Sequence, residues 1–163
     1  MSDMHRSPPA LLVAPEIRAP ARVRAPVGLQ TCLVVSTSAR RAQLWVRAAH
    51  EEQWTTIVCS TAEDANRQAV RHRIDLALVD LQSASAECES RLRDLVRQLA
   101  ARDGPLLAVC GKPDDTQGEV WSRQLGVWLY LPGVDNESDI ALLCGEARNV
   151  LKKLGDGATR PVT

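Results

Sequence analysis

Asp80 is the residue in this sequence best placed to do chemistry. It closes the short apolar run Ile74-Asp75-Leu76-Ala77-Leu78-Val79-Asp80-Leu81 and precedes the polar, small-residue segment Gln82-Ser83-Ala84-Ser85. A run of this length bounded by polar residues reads as a strand buried on both faces. A carboxylate at its end emerges at the carboxyl edge of the sheet, where ligands bind in open α/β folds. On its own such a carboxylate caps the following loop or accepts hydrogen bonds from hydroxyls, those of Ser36 and Thr37 being the candidates. Reactivity requires partners. Cys110 closes a second apolar run, Leu106 to Cys110, and is followed by Gly111-Lys112. A cation there lowers a thiol pKa, a nearby Asp80 raises it, and no resolving cysteine adjoins; a redox- or ligand-responsive regulator using this sheet edge is an alternative reading. Ser36-Thr37-Ser38 at a helix start could bind an anion, but the segment has no glycine and so no phosphate-cradling loop. None of His5, His50 and His72 falls at a carboxyl edge, and no nucleophile-elbow motif occurs. An enzyme is not the expectation.

The elements that must position these residues alternate regularly. Cys32-Leu33-Val34-Val35 reads as a strand ending at Ser36-Thr37, and Ser38 caps a helix carrying Ala42, Trp45, Val46 and Ala49. Thr55 to Cys59 is β-branched and strand-like, and Thr61 with Glu63 and Asp64 opens a second helix. After the Asp80 strand, Leu92, Leu95, Val96 and Leu99 mark a third helix stopped by Gly104-Pro105. The Leu106–Cys110 strand leads to a short helix through Val120, Trp121 and Leu125 that ends at Gly126, then to a strand from Val127 to Leu131. Asn136 caps a last helix whose apolar stripe is Ile140, Leu143, Cys144, Ala147, Val150, Leu151 and Leu154. Five nearly all-apolar strands alternating with five helices require right-handed crossovers. The expected fold is therefore α/β and flavodoxin-like: a three-layer sandwich around a five-stranded parallel sheet in order 2-1-3-4-5.

Composition bounds the rest. The 163 residues suit one domain, and the formal net charge of zero gives no global attraction to nucleic acid or anionic membrane. No apolar stretch approaches membrane-spanning length, so no membrane association is expected and the location expected is cytoplasmic. Five widely spaced cysteines without a C-x-x-C pair read as reduced, mostly buried thiols, with no zinc site and no cofactor expected. Residues 1–29, rich in Pro, Ala and Arg, read as a flexible tail, residues 30–154 as the domain, and 155–163 as a second flexible tail.

In this order and spacing, three segments resemble the receiver domain of two-component response regulators: the Asp80 strand, Pro105-Leu106-Leu107-Ala108-Val109, and Leu125-Gly126-Val127-Trp128-Leu129-Tyr130-Leu131-Pro132. The resemblance covers about Thr31 to Leu154 and places Asp80 at the phosphoacceptor position. It also implies an acidic pair for Mg²⁺ after the first strand, where Ser36 and Thr37 stand. The Thr or Ser expected after the fourth strand is Cys110, and the Lys expected after the fifth is replaced by Gly133. The implied protein is a degenerate "pseudo-receiver" of the CheY-like kind. It would act in signalling by phosphorylation-independent contact with protein partners, with a still weakly phosphorylatable Asp80 as an alternative. The resemblance further implies pairing, as a homodimer or with a partner, through the face of the fourth helix, fifth strand and fifth helix. There Trp128 and Tyr130, two apart, are expected on one side, with Trp121 beside them. Direct nucleic-acid binding by the globular part is not expected.

Overall fold

The computed structural model describes residues 30–158, with side chains to residue 156. The reading of 1–29 and of the last five residues lies outside them. Five strands alternate with five helices: β1 (Thr31–Val35), α1 (Ala39–Glu51), β2 (Thr55–Cys59), α2 (Ala62–Arg71), β3 (Leu76–Asp80), α3 (Ala86–Ala100), β4 (Leu106–Gly111), α4 (Thr116–Gln124), β5 (Leu129–Pro132) and α5 (Glu137–Ala158). All pairings are parallel, in the order β2-β1-β3-β4-β5. This is the expected doubly wound sheet, with ligand-competent loops at its carboxyl edge.

Alternation along the central strands sorts the core into two layers. Leu33, Val35, Ala77, Val79, Leu107 and Val109 pack with Leu92, Leu95, Val96 and Leu99 of α3 on one face of the sheet. Cys32, Val34, Leu76, Leu78, Ala108 and Cys110 pack with Trp45 of α1 and with Ile140, Leu143 and Ala147 of α5 on the other. The period of two places Asp80 on the α1/α5 side, next to Cys110 in register. That placement decides which helix can reach the carboxylate.

Helix starts follow local chemistry. Ser38 accepts from the Arg41 amide, Thr61 from Asp64, Ser85 from Cys88 and Asn136 from Asp139, each satisfying an orphan donor of the first turn. Most boundaries shift by a residue or two, and two of the differences matter here. β5 begins at Leu129 rather than Val127. α5 does not stop at Leu154 but runs through Gly155 to Ala158, so the domain extends past the expected boundary. Among the described residues no helix is long and apolar enough to cross a membrane.

Candidate functional site

Asp80 is fully buried at the end of β3. Its Oδ1 accepts from the backbone amides of Gln82 (3.0 Å) and Ser83 (3.4 Å), which caps the following loop. Its Oδ2 accepts from the Ser36 hydroxyl (2.7 Å) and from Nε of Arg41 (2.9 Å). A carboxylate has about four lone-pair sites, and these donors use all of them. Of the two hydroxyls expected at the site, Ser36 bonds to Asp80, whereas Thr37 instead donates to the Ser83 carbonyl (3.3 Å).

Arg41 is the functional residue that sequence reasoning missed. It lies in the first turn of α1, with its side chain only 14% exposed, and its guanidinium fills the centre of the carboxyl edge. Besides Asp80 it donates to Asp135, to Oε1 of Gln82 (3.2 Å), to the Val134 carbonyl (3.1 Å) and to Sγ of Cys110 (3.4 Å). It also lies over the Trp45 ring, 5.5 Å from the centroid. One side chain thus ties α1, the end of β3, the loops after β3 and β5, and the end of β4 to a single point. Burial alone would lower the Arg41 pKa, but the carboxylates of Asp80 and Asp135 outweigh it and the net shift is upward. The cation expected to be absent from this site is therefore present, supplied from α1.

A local signal for Arg41 did exist. α1 has no acidic residue in its first turn, and Arg40 and Arg41 sit there against the positive helix end. Cations at that end are unfavourable by roughly 0.3–1 kcal/mol unless a nearby anion compensates. A basic pair just inside a Ser cap, five residues beyond a strand end, is a reason to look for a buried carboxylate.

Gly133, at the position where the resemblance implies Lys, has a backbone that no Lys adopts comfortably. Its φ is +65°, and an added Cβ would come within 2.8 Å of the Pro113 ring. Its amide donates to the Gly111 carbonyl at 2.8 Å, fixing the loop after β5 against the end of β4.

Cys110 is buried beside Asp80 in register and lies under the guanidinium. Burial, then the Asp80 charge, push its thiol from 9.0 up to about 11, while Arg41 and the Val134 backbone pull weakly the other way. The cation beside Cys110 is Arg41, not the exposed Lys112. Burial likewise holds Cys59 and Cys144 up at about 12 and raises Cys32 well above the ordinary value. Alkylation at pH 8 should therefore mark Cys88 first, the half-buried one of the five, with the others following only on unfolding; mass-spectrometric mapping reads the order. The same shifts fix a sign. Between pH 9 and about 11 the unfolded chain loses these protons and the folded chain keeps them, so stability falls as pH rises through that window.

The three aromatics do not form one face. Tyr130 and Trp121 pack against the layer containing α3, whereas Trp128 packs against the α1/α5 layer. Because β5 starts at Leu129, strand alternation does not reach Trp128. All three are partly buried, and Trp121 is covered by Arg93 (4.7 Å) and Arg97 (5.6 Å) of α3. The Tyr130 ring lies over Gly111, where a Cβ would collide with its hydroxyl, and that buried hydroxyl has no hydrogen-bond partner among the described residues. The exposed large apolar side chains on α4 and β5 are instead Val120 (49%) and Leu129 (36%).

No family model and no curated protein matches the sequence. Solved structures do. A CheY-like response regulator receiver domain protein from Methanospirillum hungatei JF-1 aligns with a TM-score of 0.66 and 17% identity, over 77% of this chain and 98% of that one. A response regulator from Thermotoga maritima aligns with a TM-score of 0.63 and 20% identity, over 74% and 98%. An orphan response regulator of H. pylori aligns with a TM-score of 0.63 and 14% identity, over 76% and 98%. The chain has the CheY-like receiver fold.

Proposed function

We propose that this protein is a signalling module of the receiver fold that works by protein–protein contact and not by phosphoryl transfer at Asp80. The observation that carries the reading is the Arg41–Asp80 ion pair at 2.9 Å inside a buried site. Phosphoryl transfer on such a carboxylate needs an unencumbered oxygen and a divalent cation to neutralise the moving charge. Here both oxygens are occupied, and the guanidinium lies directly against one of them. A divalent ion about 4 Å from that guanidinium would be repelled by roughly 8 kcal/mol at an effective dielectric of 20. Neutral Ser36 and Thr37 supply no second carboxylate to offset it.

Contact with a partner protein, or with a second copy, is then the remaining mode of action. The α4–β5 surface, with Val120 and Leu129 exposed beside the open edge of β5, is the place for it. It takes over the role first assigned to Trp121, Trp128 and Tyr130. The redox alternative loses ground, because a buried thiol held near pKa 11 stays protonated and unreactive at neutral pH.

Trp45 lies against Arg41 and reports on the site directly. Titration with millimolar Mg²⁺ and beryllofluoride, followed by tryptophan fluorescence, should give no saturable change. A saturable change that disappears in Asp80→Asn would overturn the proposal and restore an ordinary phosphorylation switch.

A further inference from the structure

The two edges of the sheet are not alike. A strand bonded along one side turns the N–H and C=O of alternate residues to the other side. In β5 the Gly133 amide reaches back to Gly111 of β4, so Leu129 and Leu131 bond to β4 while Tyr130 and Pro132 face outward. Pro132 has no N–H, which leaves Tyr130 as the one outward donor of that strand. An edge proline discourages the addition of another strand.

The other edge, β2, has no such guard. The Thr55 amide donates to the Gln30 carbonyl and the Cys59 carbonyl accepts from the Ser36 amide, so Thr55, Ile57 and Cys59 bond to β1. Thr56 and Val58 therefore turn both of their backbone groups outward, and among the described residues nothing pairs with those groups. The strand holds no proline and no charge, Thr55, Thr56, Ile57 and Val58 are all β-branched, and Val58 is 50% exposed.

We propose that β2 pairs antiparallel with β2 of a second copy about a two-fold axis at Ile57, joining the two sheets into one. The register follows from the edge itself. Facing residues of an antiparallel pair exchange both of their bonds, so Thr56 faces Val58 of the second copy and every outward donor and acceptor is used. An axis at Thr56 would instead set Val58 against Trp54, whose amide is already committed to Ala49. An axis at Val58 would set Thr56 against Ser60, beyond the end of the strand. At the chosen axis the two half-buried Ile57 side chains meet as a close pair on the α2 side. Thr56, which touches His50 of α1, and Val58 form a β-branched patch on the opposite side.

Charge obeys the same symmetry. α2 runs back along β2, with Glu63 and Asp64 at its start and Arg71 and His72 at its end. Antiparallel pairing lays the acidic start of one α2 toward the basic end of the other. Glu63 also pairs with Arg91, Arg67 with Asp64 and Arg73 with Asp75 inside each chain. On the α1 side Arg47 and His50 approach their own copies, but both are exposed and screened by water and salt. The α4–β5 surfaces lie at the two far ends of the joined sheet, so a dimer presents both at once. The pairing does not rest on the function proposed above.

Amide hydrogen exchange by NMR on the full chain, with light-scattering mass at the same concentrations, tests this. As concentration rises the mass should reach that of a dimer while exchange at the Thr56 and Val58 amides slows several-fold. The Ile57 amide, held by β1, should be slow throughout. Val58→Lys, at a half-exposed side chain, should abolish the dimer and the added protection yet keep that of Ile57, which marks an intact strand. Leu129→Lys should change neither. A monomer with fast Thr56 and Val58 amides at every concentration would overturn the proposal. So would a dimer that survives Val58→Lys, or one lost only in Leu129→Lys, since another surface would then be in use. Protection at Thr56 and Val58 that ignores dilution would also overturn it, because residues 1–29 of the same chain would then be the occupant.

Discussion

Replacing Arg41 with Met should cost about 3–5 kcal/mol of stability, the range seen when one partner of a buried ion pair is removed. Asp80 is fully buried, so the carboxylate left behind cannot turn to water. The Ser36 hydroxyl and two backbone amides would remain, but none carries the compensating charge. By contrast, the exposed Arg91 pairs with Glu63 and Glu87 and the Arg97–Asp94 pair are each worth at most about 1 kcal/mol. Urea denaturation should therefore single out Arg41 among the arginines. The double variant Arg41→Met with Asp80→Asn should recover much of the loss, because no uncompensated charge is then buried. A loss below about 1 kcal/mol in the single variant would mean that the pair is not the anchor of the loops.

Gly133→Lys, the substitution that puts Lys at the position where the resemblance implies it, should destabilise the protein by about 2 kcal/mol or more. A non-glycine residue in the left-handed region costs roughly 1–2 kcal/mol, and the new Cβ would press on the Pro113 ring at 2.8 Å. The added ammonium would also meet a site whose carboxylate is already paired with Arg41. Denaturation midpoints measure the first effect. Fluorescence titration with beryllofluoride measures the second and should remain flat. Gly133→Ala separates the backbone cost from that of the long side chain.

Much of the architecture was legible because its determinants are local. The strands are nearly continuous apolar runs, and Ser38, Thr61 and Asn136 mark helix starts by their own side chains. Asp80 was legible for the same reason: a carboxylate on the last residue of a buried strand has few places to be. What joins Asp80 to Arg41 is a contact across 39 positions, set by which face of the sheet α1 covers. No periodicity in the sequence encodes that. The aromatic face failed through a two-residue error in where β5 begins, which moves Trp128 to the opposite layer. The end of α5 was misjudged because Gly155 looks like a terminator, whereas the helix carries it within its last turns.

The Arg41 network has a consequence for how such a molecule conveys information. An equilibrium moves only as far as a ligand distinguishes its states, and a buried carboxylate whose acceptor sites are already matched offers an incoming group little to distinguish. A protein with one dominant state transmits no on-or-off message of its own. Under the proposed function its message is a quantity. What a partner reads is how many copies are present and how long each stays bound, so control passes to synthesis, turnover and competition for the shared surface.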